Sequence, residues 1–190
     1  VHAATLPGVL RLDSRRQLAE VTGPCARVAE IGTFRGDFAE DLLRMYDPAV
    51  LVLVDPWQGD IASGDADGNN VVSANGDDLC HFVKTRFRDV PAVRVCRAFS
   101  QNVRLLDMDL VYIDGDHSYD GVLRDLHLAW DWVRPGGWIC GHDFAMNPAK
   151  ARAHYDFGVR RAVEDFAAIR GVRVWALMLD GCVSFAIRRP

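Results

Sequence analysis

The stretch that decides the fold is VAEIGTFRG, residues 28–36, in which a short apolar run turns into a glycine-bearing loop. Residues 37–46 follow it and carry Phe38, Leu42 and Met45 at helical spacing. Glycines allow the backbone to approach a ligand closely, and the start of a helix offers unpaired N–H groups to negative charge. The spacing E-x-G-x-x-x-G differs from the dinucleotide-binding pattern G-x-G-x-x-G. We therefore expect a strand–loop–helix unit whose loop either binds a ligand or is a tight turn.

The rest of the chain repeats this alternation of apolar runs and helical patterns, which is typical of βαβ units. Apolar runs predict strands at residues 26–31, 50–54, 92–96, 110–113, 138–140, 172–177 and 183–187. The last two strands are joined through Asp180-Gly181 and are expected to form an antiparallel hairpin. The prediction is a single α/β domain over residues 1–190, with a seven-stranded, mostly parallel sheet and helices on both faces.

Two segments fall outside this alternation. Residues 1–24 are predicted to be a helical segment that packs across the sheet or over the ligand. Residues 57–75 contain three glycines and no periodicity. Because an irregular segment of this length in a compact domain is usually functional or disordered, we predict a lid loop there.

Composition excludes several classes of protein. With 49% hydrophobic residues the chain can bury a sizeable core, and its net charge of −4 gives no basic footprint for nucleic acid. The arginine pairs Arg15–Arg16 and Arg160–Arg161 are expected to lie on solvated helix faces. No apolar run is long enough to span a bilayer, so no membrane partner is expected. Five cysteines without C-x-x-C spacing predict reduced thiols and a cytoplasmic location.

An acidic residue ends the second predicted strand. Asp55 follows the apolar run 50–54 and lies about 20 residues beyond the glycine loop, where a carboxylate commonly accepts hydrogen bonds from ribose hydroxyls. Taken alone, Asp55 would equally cap the turn at Pro56. Together, the glycine loop and Asp55 indicate an adenosine-containing ligand that lies across the strand ends.

Four stretches of the sequence resemble the motifs of class I S-adenosylmethionine-dependent methyltransferases. They are the glycine loop, LVDPW at residues 53–57, LVYIDGDHSY at residues 110–119 and RPGGWICGHDF at residues 134–144. The last two narrow the resemblance, which covers roughly residues 25–145, to a small branch that includes sugar and antibiotic O-methyltransferases. It implies a Rossmann-like fold with the first and fourth strands side by side, and S-adenosylmethionine as the methyl donor.

The resemblance also implies roles for individual positions. The implied cofactor-binding residues are Glu30, Gly32, Thr33 and Gly36 at the methionine part, Asp55 at the ribose, Ala98, Phe99 and Ser100 near the adenine, and Asp114. For the three residues near the adenine, an ordinary strand-to-helix turn is the alternative interpretation.

Acidic residues and a histidine follow two strands that are expected to be neighbours. Asp114 ends the fourth strand, and His142 and Asp143 end the fifth. Adjacent strands lie about 4.8 Å apart, so these side chains can converge and hold a divalent cation that acidifies a substrate hydroxyl. Relatives that use a metal typically have two acidic residues after the glycine pair. Here His142 replaces the first, which favours manganese, iron or zinc over magnesium. The alternative is that Asp114 and Asp143 only cap turns or orient neighbours.

His117 follows Asp116 directly and is the candidate general base, because an imidazole with an ordinary pKa of about 6.5 works near neutral pH. A surface or helix-capping histidine is the alternative. With His142 as a second catalytic candidate, the predicted reaction is methyl transfer to a hydroxyl of a small-molecule acceptor, such as a sugar or natural product. Two other functions stay open: N-methylation of a small molecule or protein, and a non-catalytic S-adenosylmethionine-binding module. A homodimer is compatible with the sequence.

Overall fold

The computed structural model describes residues 8–11, 15–58, 60–63, 72–146, 158–178 and 182–190. Its elements in chain order are β1 (Gly8–Arg11), a 3₁₀ helix (Arg15–Gln17), α1 (Leu18–Thr22), β2 (Arg27–Ile31), α2 (Asp37–Tyr46), β3 (Val50–Asp55), β4 (Asp60–Ser63), β5 (Val72–Asn75), α3 (Gly76–Arg86), β6 (Val93–Arg97), a second 3₁₀ helix (Ser100–Asn102), β7 (Met108–Ile113), α4 (Tyr119–Trp132), β8 (Val133–Met146), α5 (Val159–Arg170), β9 (Val174–Met178) and β10 (Cys182–Arg188).

Eight strands form one sheet in the order β1-β9-β10-β8-β7-β2-β3-β6. Neighbouring strands are parallel except at β10, which is antiparallel to both β8 and β9. The predicted seven-stranded, mostly parallel sheet with a C-terminal antiparallel hairpin is confirmed, and β1 adds an eighth strand at one edge. Because β2, β7 and β8 are consecutive parallel neighbours, their carboxyl ends lie side by side.

Helices cover both faces of this sheet. Leu42 of α2 and Val83 of α3 belong to the core on one face, and Leu126 of α4 and Phe166 of α5 belong to the core on the other. Since both faces are covered, β3 is apolar at every position before Asp55. Of the helices described, none is both long and apolar enough to cross a membrane.

The loop between β7 and α4 is anchored at its far end. The Ser118 side chain caps α4 by accepting a hydrogen bond from the Gly121 N–H at 3.1 Å. The Gly158 N–H at the start of α5 donates to the His117 carbonyl oxygen at 2.9 Å. These bonds hold His117 at the carboxyl edge of the sheet.

The N-terminal segment differs in part from the predicted helical segment over residues 1–24. Residues 15–22 are helical, but residues 8–11 form β1, which pairs in parallel with β9. Without β1 the N–H and C=O groups of β9 would line an open sheet edge, and such an edge favours addition of a strand. Residues 1–7 and 12–14 lie outside the described residues.

The segment predicted as an irregular lid also contains regular structure. Residues 60–63 and 72–75 form the antiparallel pair β4–β5, which is separate from the main sheet. Strands of four residues are at the lower limit of length at which an alternating pattern indicates a strand in the sequence. Residues 59 and 64–71 lie outside the described residues, and a lid motion of residues 57–75 stays a prediction.

Candidate active site

The loop after β2 is fixed between the ends of β3 and β7. The Gly32 N–H donates to the Val54 carbonyl oxygen at 2.9 Å, and the Asp114 N–H donates to the Ile31 carbonyl oxygen at 2.7 Å. Gly32 has a φ of +88°, and a Cβ at this position would collide with the main chain of Asp114. Protein packing therefore requires a glycine here.

The second glycine of the loop has a similar packing role. Gly36 has a φ of +79° and precedes α2, where a Cβ would lie 2.6 Å from Cε2 of Phe87. At Gly36, as at Gly32, the positive φ and the close packing agree with the interpretation of this loop as a tight turn. Contact of either glycine with the methionine part of a cofactor stays a prediction.

Glu30 of β2 places its carboxylate in the interior of the domain. The residue is 1% exposed, and Oε2 has no hydrogen-bond partner among the described residues. Burial raises the pKa of Glu30 well above its ordinary value, and the nearby charge of Asp114 raises it further. Thr33 Oγ1 is also buried, and its interaction with the Glu30 carboxyl offsets part of the upward shift. Because buried polar atoms normally have partners, Glu30 Oε2 indicates a place where a ligand or water can bind.

Asp55 links the glycine loop to the turn after β3. Its Oδ2 accepts a hydrogen bond from the Phe34 N–H at 2.9 Å, and its Oδ1 accepts one from the Trp57 N–H at 2.8 Å. The Trp57 indole N–H in turn donates to the Phe34 carbonyl oxygen at 2.8 Å. Burial raises the pKa of Asp55 despite these main-chain bonds. The capping role is thus present in the structure, while the carboxylate as a whole retains acceptor capacity for a ribose hydroxyl.

The turn after β6 lies directly beside Asp55. The Ala98 N–H donates to the Asp55 carbonyl oxygen at 3.1 Å. Ser100 is buried and donates from Oγ to Oδ1 of Asp125 at 2.5 Å, whereas the Phe99 side chain is exposed. Ser100 therefore anchors the turn to α4. Of Ala98, Phe99 and Ser100, Phe99 has an exposed ring that is accessible to an adenine.

Asp114, His117, His142 and Asp143 come together where β7 ends and its pairing with β8 stops at Gly141, although β8 itself continues to Met146. His117 Nε2 lies 3.2 Å from Asp143 Oδ2 and 3.4 Å from Asp114 Oδ1. His142 Nδ1 lies 3.3 Å from Asp143 Oδ1 and 3.9 Å from Asp114 Oδ1. The four side chains form one group that adjoins the glycine loop through the main chain of Asp114. We call it the acid–histidine cluster.

Both histidines of this cluster hold protons more firmly than an ordinary histidine. Burial lowers the pKa of His117, but the hydrogen bond to Asp114 and the charge of Asp143 raise it more, so the net shift is upward. The pKa of His142 is raised in the same way, by Asp143 and Asp114 against burial. A proton taken up by either imidazole is therefore stabilised by the two carboxylates.

Three members of the cluster are spaced as metal ligands would be. Asp114, His117 and Asp143 each offer one ligand atom, and these atoms lie within 4.8 Å of one another. No other group of this kind occurs in the described part of the chain. The sequence analysis predicted that His142 would lie beside Asp114 and Asp143 at a cation site. In the structure, the histidine grouped with these two carboxylates as a candidate ligand is His117.

Arg15 is a residue of this site that sequence reasoning missed. Its guanidinium lies over the Phe38 ring at 4.3 Å, and Nη1 lies 3.6 Å from Asp114 Oδ2. The side chain is 33% exposed, so the expectation of a solvated helix face was wrong for Arg15. Nothing in the local pattern reveals this position, because both contacts join Arg15 to residues distant in the sequence.

Comparison of the sequence with protein families identifies its class. The family described as "Methyltransferase domain" matches residues 29–144, which is more than half of the chain. The matched range contains the glycine loop, Asp55 and the whole acid–histidine cluster. The chain therefore belongs to this methyltransferase family. No curated protein matches the sequence significantly.

Solved structures of methyltransferases share the fold. The O-methyltransferase TomG from Streptomyces achromogenes, involved in tomaymycin synthesis and bound to S-adenosylmethionine, has a TM-score of 0.64 at 17% identity, with 92% of this chain and 78% of that chain covered. The O-methyltransferase from Bacillus cereus, bound to S-adenosylhomocysteine, has a TM-score of 0.62 at 18% identity, with 92% and 78% covered. The N-methyltransferase NodS from Bradyrhizobium japonicum, bound to S-adenosylhomocysteine, has a TM-score of 0.63 at 12% identity, with 92% and 83% covered. These similarities establish the class I methyltransferase fold. The similar structures include both O-methyltransferases and an N-methyltransferase.

Proposed function

We propose that this methyltransferase transfers a methyl group from S-adenosylmethionine to a hydroxyl of a small-molecule acceptor. The observation that carries the proposal is the position of the acid–histidine cluster. His117 contacts Asp114 and Asp143, and the Asp114 N–H is bonded to the end of β2, where the glycine loop begins. A candidate proton acceptor thus adjoins the candidate donor site, as transfer to a hydroxyl requires.

The residues present fit the methyl donor. Glu30 offers a buried carboxylate oxygen without a partner among the described residues, which suits the donor's ammonium group. Asp55 has lone pairs left for ribose hydroxyls, and the exposed Phe99 ring suits the face of an adenine. When bound, S-adenosylmethionine supplies a methyl group on a positively charged sulfur, and direct displacement depends mainly on in-line positioning.

His117 is proposed to remove the proton of the acceptor hydroxyl. Its Nε2 lies 3.4 Å from Asp114 Oδ1 and 3.2 Å from Asp143 Oδ2. Asp114 and Asp143 orient the ring and stabilise the imidazolium, as the carboxylate of a catalytic triad does. His142 lies on the other oxygen of Asp143 and holds that carboxylate in place.

A divalent cation is a second candidate for activating the hydroxyl. Two carboxylates and an imidazole suit manganese, iron or zinc, and Asp114, Asp143 and His117 would hold the ion. Such an ion would lower the pKa of an acceptor hydroxyl. A His117 that ligates through Nε2 cannot also act as the base described above, so the two roles exclude each other.

The test is a turnover assay with matched acceptors that carry either a hydroxyl or an amine at the same position. The purified protein is incubated with S-adenosylmethionine, and mass spectrometry measures S-adenosylhomocysteine and the methylated product. We expect methylation of the hydroxyl compound, and parallel assays with chelator and with manganese or zinc separate the base from the cation. Methylation of the amine alone would establish N-methylation, and cofactor binding without turnover on any acceptor would support a binding module.

A further inference from the structure

A buried carboxylate near the glycine loop has unused hydrogen-bonding capacity. Glu30 Oε2 is buried without a hydrogen-bond partner among the described residues, whereas the buried Tyr112 Oη interacts with Ser184 and Arg15. Glu30 and Tyr112 are direct partners in the register of β2 and β7, and Tyr112 lies in the core on the α2 side of the sheet. Unpaired buried oxygens are costly, and native proteins keep few of them. Glu30 Oε2 therefore indicates a place built for a polar ligand.

Arg15 supplies positive charge at the same place. It interacts with Asp114 and Glu30 through charge and with Tyr112 through a hydrogen bond, and its Cζ lies 4.3 Å from the centre of the Phe38 ring. Phe38 lies in the first turn of α2, just beyond the glycine loop, whereas Asp114 is bonded to the strand end before that loop. The guanidinium is thus bracketed by contacts at the two ends of the glycine loop.

The Arg15 guanidinium has capacity left for a carboxylate. Its contact with Asp114 measures 3.6 Å, longer than the 2.7–2.9 Å typical of a charge-assisted hydrogen bond. A guanidinium carries five donors in a planar fork that matches a carboxylate. Asp114 lies near one nitrogen of this fork, Nη1, and Tyr112 adds one hydrogen bond, so a bidentate partner can still bind.

The combination of an unpaired buried carboxylate and a guanidinium matches the two charges of an amino-acid end. We propose that Arg15 binds the α-carboxylate of S-adenosylmethionine, opposite the ammonium group at Glu30. The inference rests on the proposed function, since it assigns a binding residue for the same donor. It makes the N-terminal segment, which precedes the range matched by the methyltransferase family, part of the donor site.

The experiment compares three ligands by titration calorimetry: S-adenosylhomocysteine, its decarboxylated analogue, and 5′-methylthioadenosine, which lacks the whole amino-acid end. In Arg15→Gln we expect S-adenosylhomocysteine to bind at least about tenfold more weakly, because a bond between charged groups is lost. The other two ligands should bind Arg15→Gln and the parent protein equally. Arg15→Lys should give an intermediate loss, because it keeps the charge but not the fork.

Arg44→Gln is the matched control, because Arg44 pairs with Glu40 and Asp41 on the outer surface of α2 and is 66% exposed. It should bind all three ligands as the parent does. Equal weakening of all three ligands by Arg15→Gln would overturn the inference and give Arg15 a structural role. Unchanged binding of S-adenosylhomocysteine would overturn it as well. A folded parent protein that binds none of the ligands would instead overturn the proposed function, and the assignment of Arg15 with it.

Discussion

The two ends of strand β7 each carry an aspartate, and the surroundings of these two residues differ. At the amino end, Asp109 accepts hydrogen bonds from the Ala26 and Arg27 N–H groups at 2.7 and 2.8 Å and from Arg134 Nε at 2.5 Å. These bonds join the starts of β2, β7 and β8. Asp109 is 8% exposed, and both of its oxygens have close donors.

At the carboxyl end, Asp114 has only longer contacts with charged partners. His117, Arg15 and His142 lie 3.4, 3.6 and 3.9 Å from its carboxylate oxygens. Three groups that can carry positive charge surround this carboxylate, but none is as close as the partners of Asp109. Asp114 therefore keeps hydrogen-bonding capacity that Asp109 has already used.

The comparison supports the hypothesis that one strand serves stability at one end and chemistry at the other. Ligands of open α/β sheets bind beyond the carboxyl ends of the strands, where the chain passes into loops. Saturated hydrogen bonds at the amino end fix the spacing of β2, β7 and β8, and this spacing holds the opposite ends in place. Substitutions at the two ends should accordingly affect different measurements.

The largest effect is expected at the carboxyl end, from His117→Ala. Loss of a general base typically lowers the rate about 10²–10⁴-fold, while the melting temperature should stay near that of the parent. The measurement is turnover with an established acceptor, with cofactor affinity checked separately by calorimetry. His81→Ala, at an exposed position of α3, is the control and should leave turnover unchanged. Near-parent turnover in His117→Ala would show that the assignment of the base is wrong.

The next effect is a difference in stability between variants of Asp109 and Asp114. Asp109→Ala leaves two main-chain N–H groups without their acceptor, so we expect the free energy of unfolding to fall by about 2–4 kcal/mol. Asp114→Ala should change it by less than about 1 kcal/mol and should lower turnover, though by less than His117→Ala does. Urea unfolding of both variants, with turnover measured on the folded protein, checks the division. A larger loss of stability in Asp114→Ala than in Asp109→Ala would contradict the comparison.

A smaller effect is expected at Asp55, which shares features with both aspartates. Like Asp109 it accepts hydrogen bonds from two main-chain N–H groups, and like Asp114 it lies at a carboxyl strand end. We expect Asp55→Ala to weaken S-adenosylhomocysteine about tenfold or more and also to lower stability. Asp109→Ala is the control, since it should lose stability while its folded form binds the ligand as the parent does. If Asp55→Ala retains full affinity, the carboxylate only caps the turn.

Much of this architecture could be predicted from the sequence because it depends on local patterns. Continuous apolar runs such as residues 50–54 gave β3 to within a residue, and helical spacing gave α2 at its observed bounds. The carboxyl-end location of Asp114 and Asp143 followed from strand order, since parallel neighbours end at the same edge. These inferences needed no knowledge of side-chain contacts.

What could not be predicted depends on contacts between distant parts of the chain. Strand β1 exists through its pairing with β9, and its four residues carry no periodicity of their own. Asp109 bonds to residues of β2 and β8, and Arg15 contacts Asp114, which is distant from it in the sequence. A single sequence does not show which distant side chains meet. The hydrogen bonds of Asp109 at the amino end of β7 and the position of the Arg15 guanidinium near the glycine loop therefore became visible only in the structure.

The smallest effect concerns how stability at the amino end depends on pH. Burial alone would raise the pKa of Asp109, but Arg134 and the two main-chain donors lower it, and the net pKa lies below the ordinary value. A carboxyl group with a lowered pKa in the folded state stabilises the protein above its unfolded pKa of about 3.9, and this contribution is lost as the pH falls through the folded pKa. The difference in unfolding free energy between the parent and Asp109→Asn should therefore be constant near neutral pH and shrink below about pH 4. Urea unfolding at a series of pH values measures this difference, with Asp89→Asn, at a position 87% exposed, as the control that shows no such trend. A difference that stays constant down to acidic pH would mean that the ionised carboxylate of Asp109 contributes no more to stability than the neutral amide.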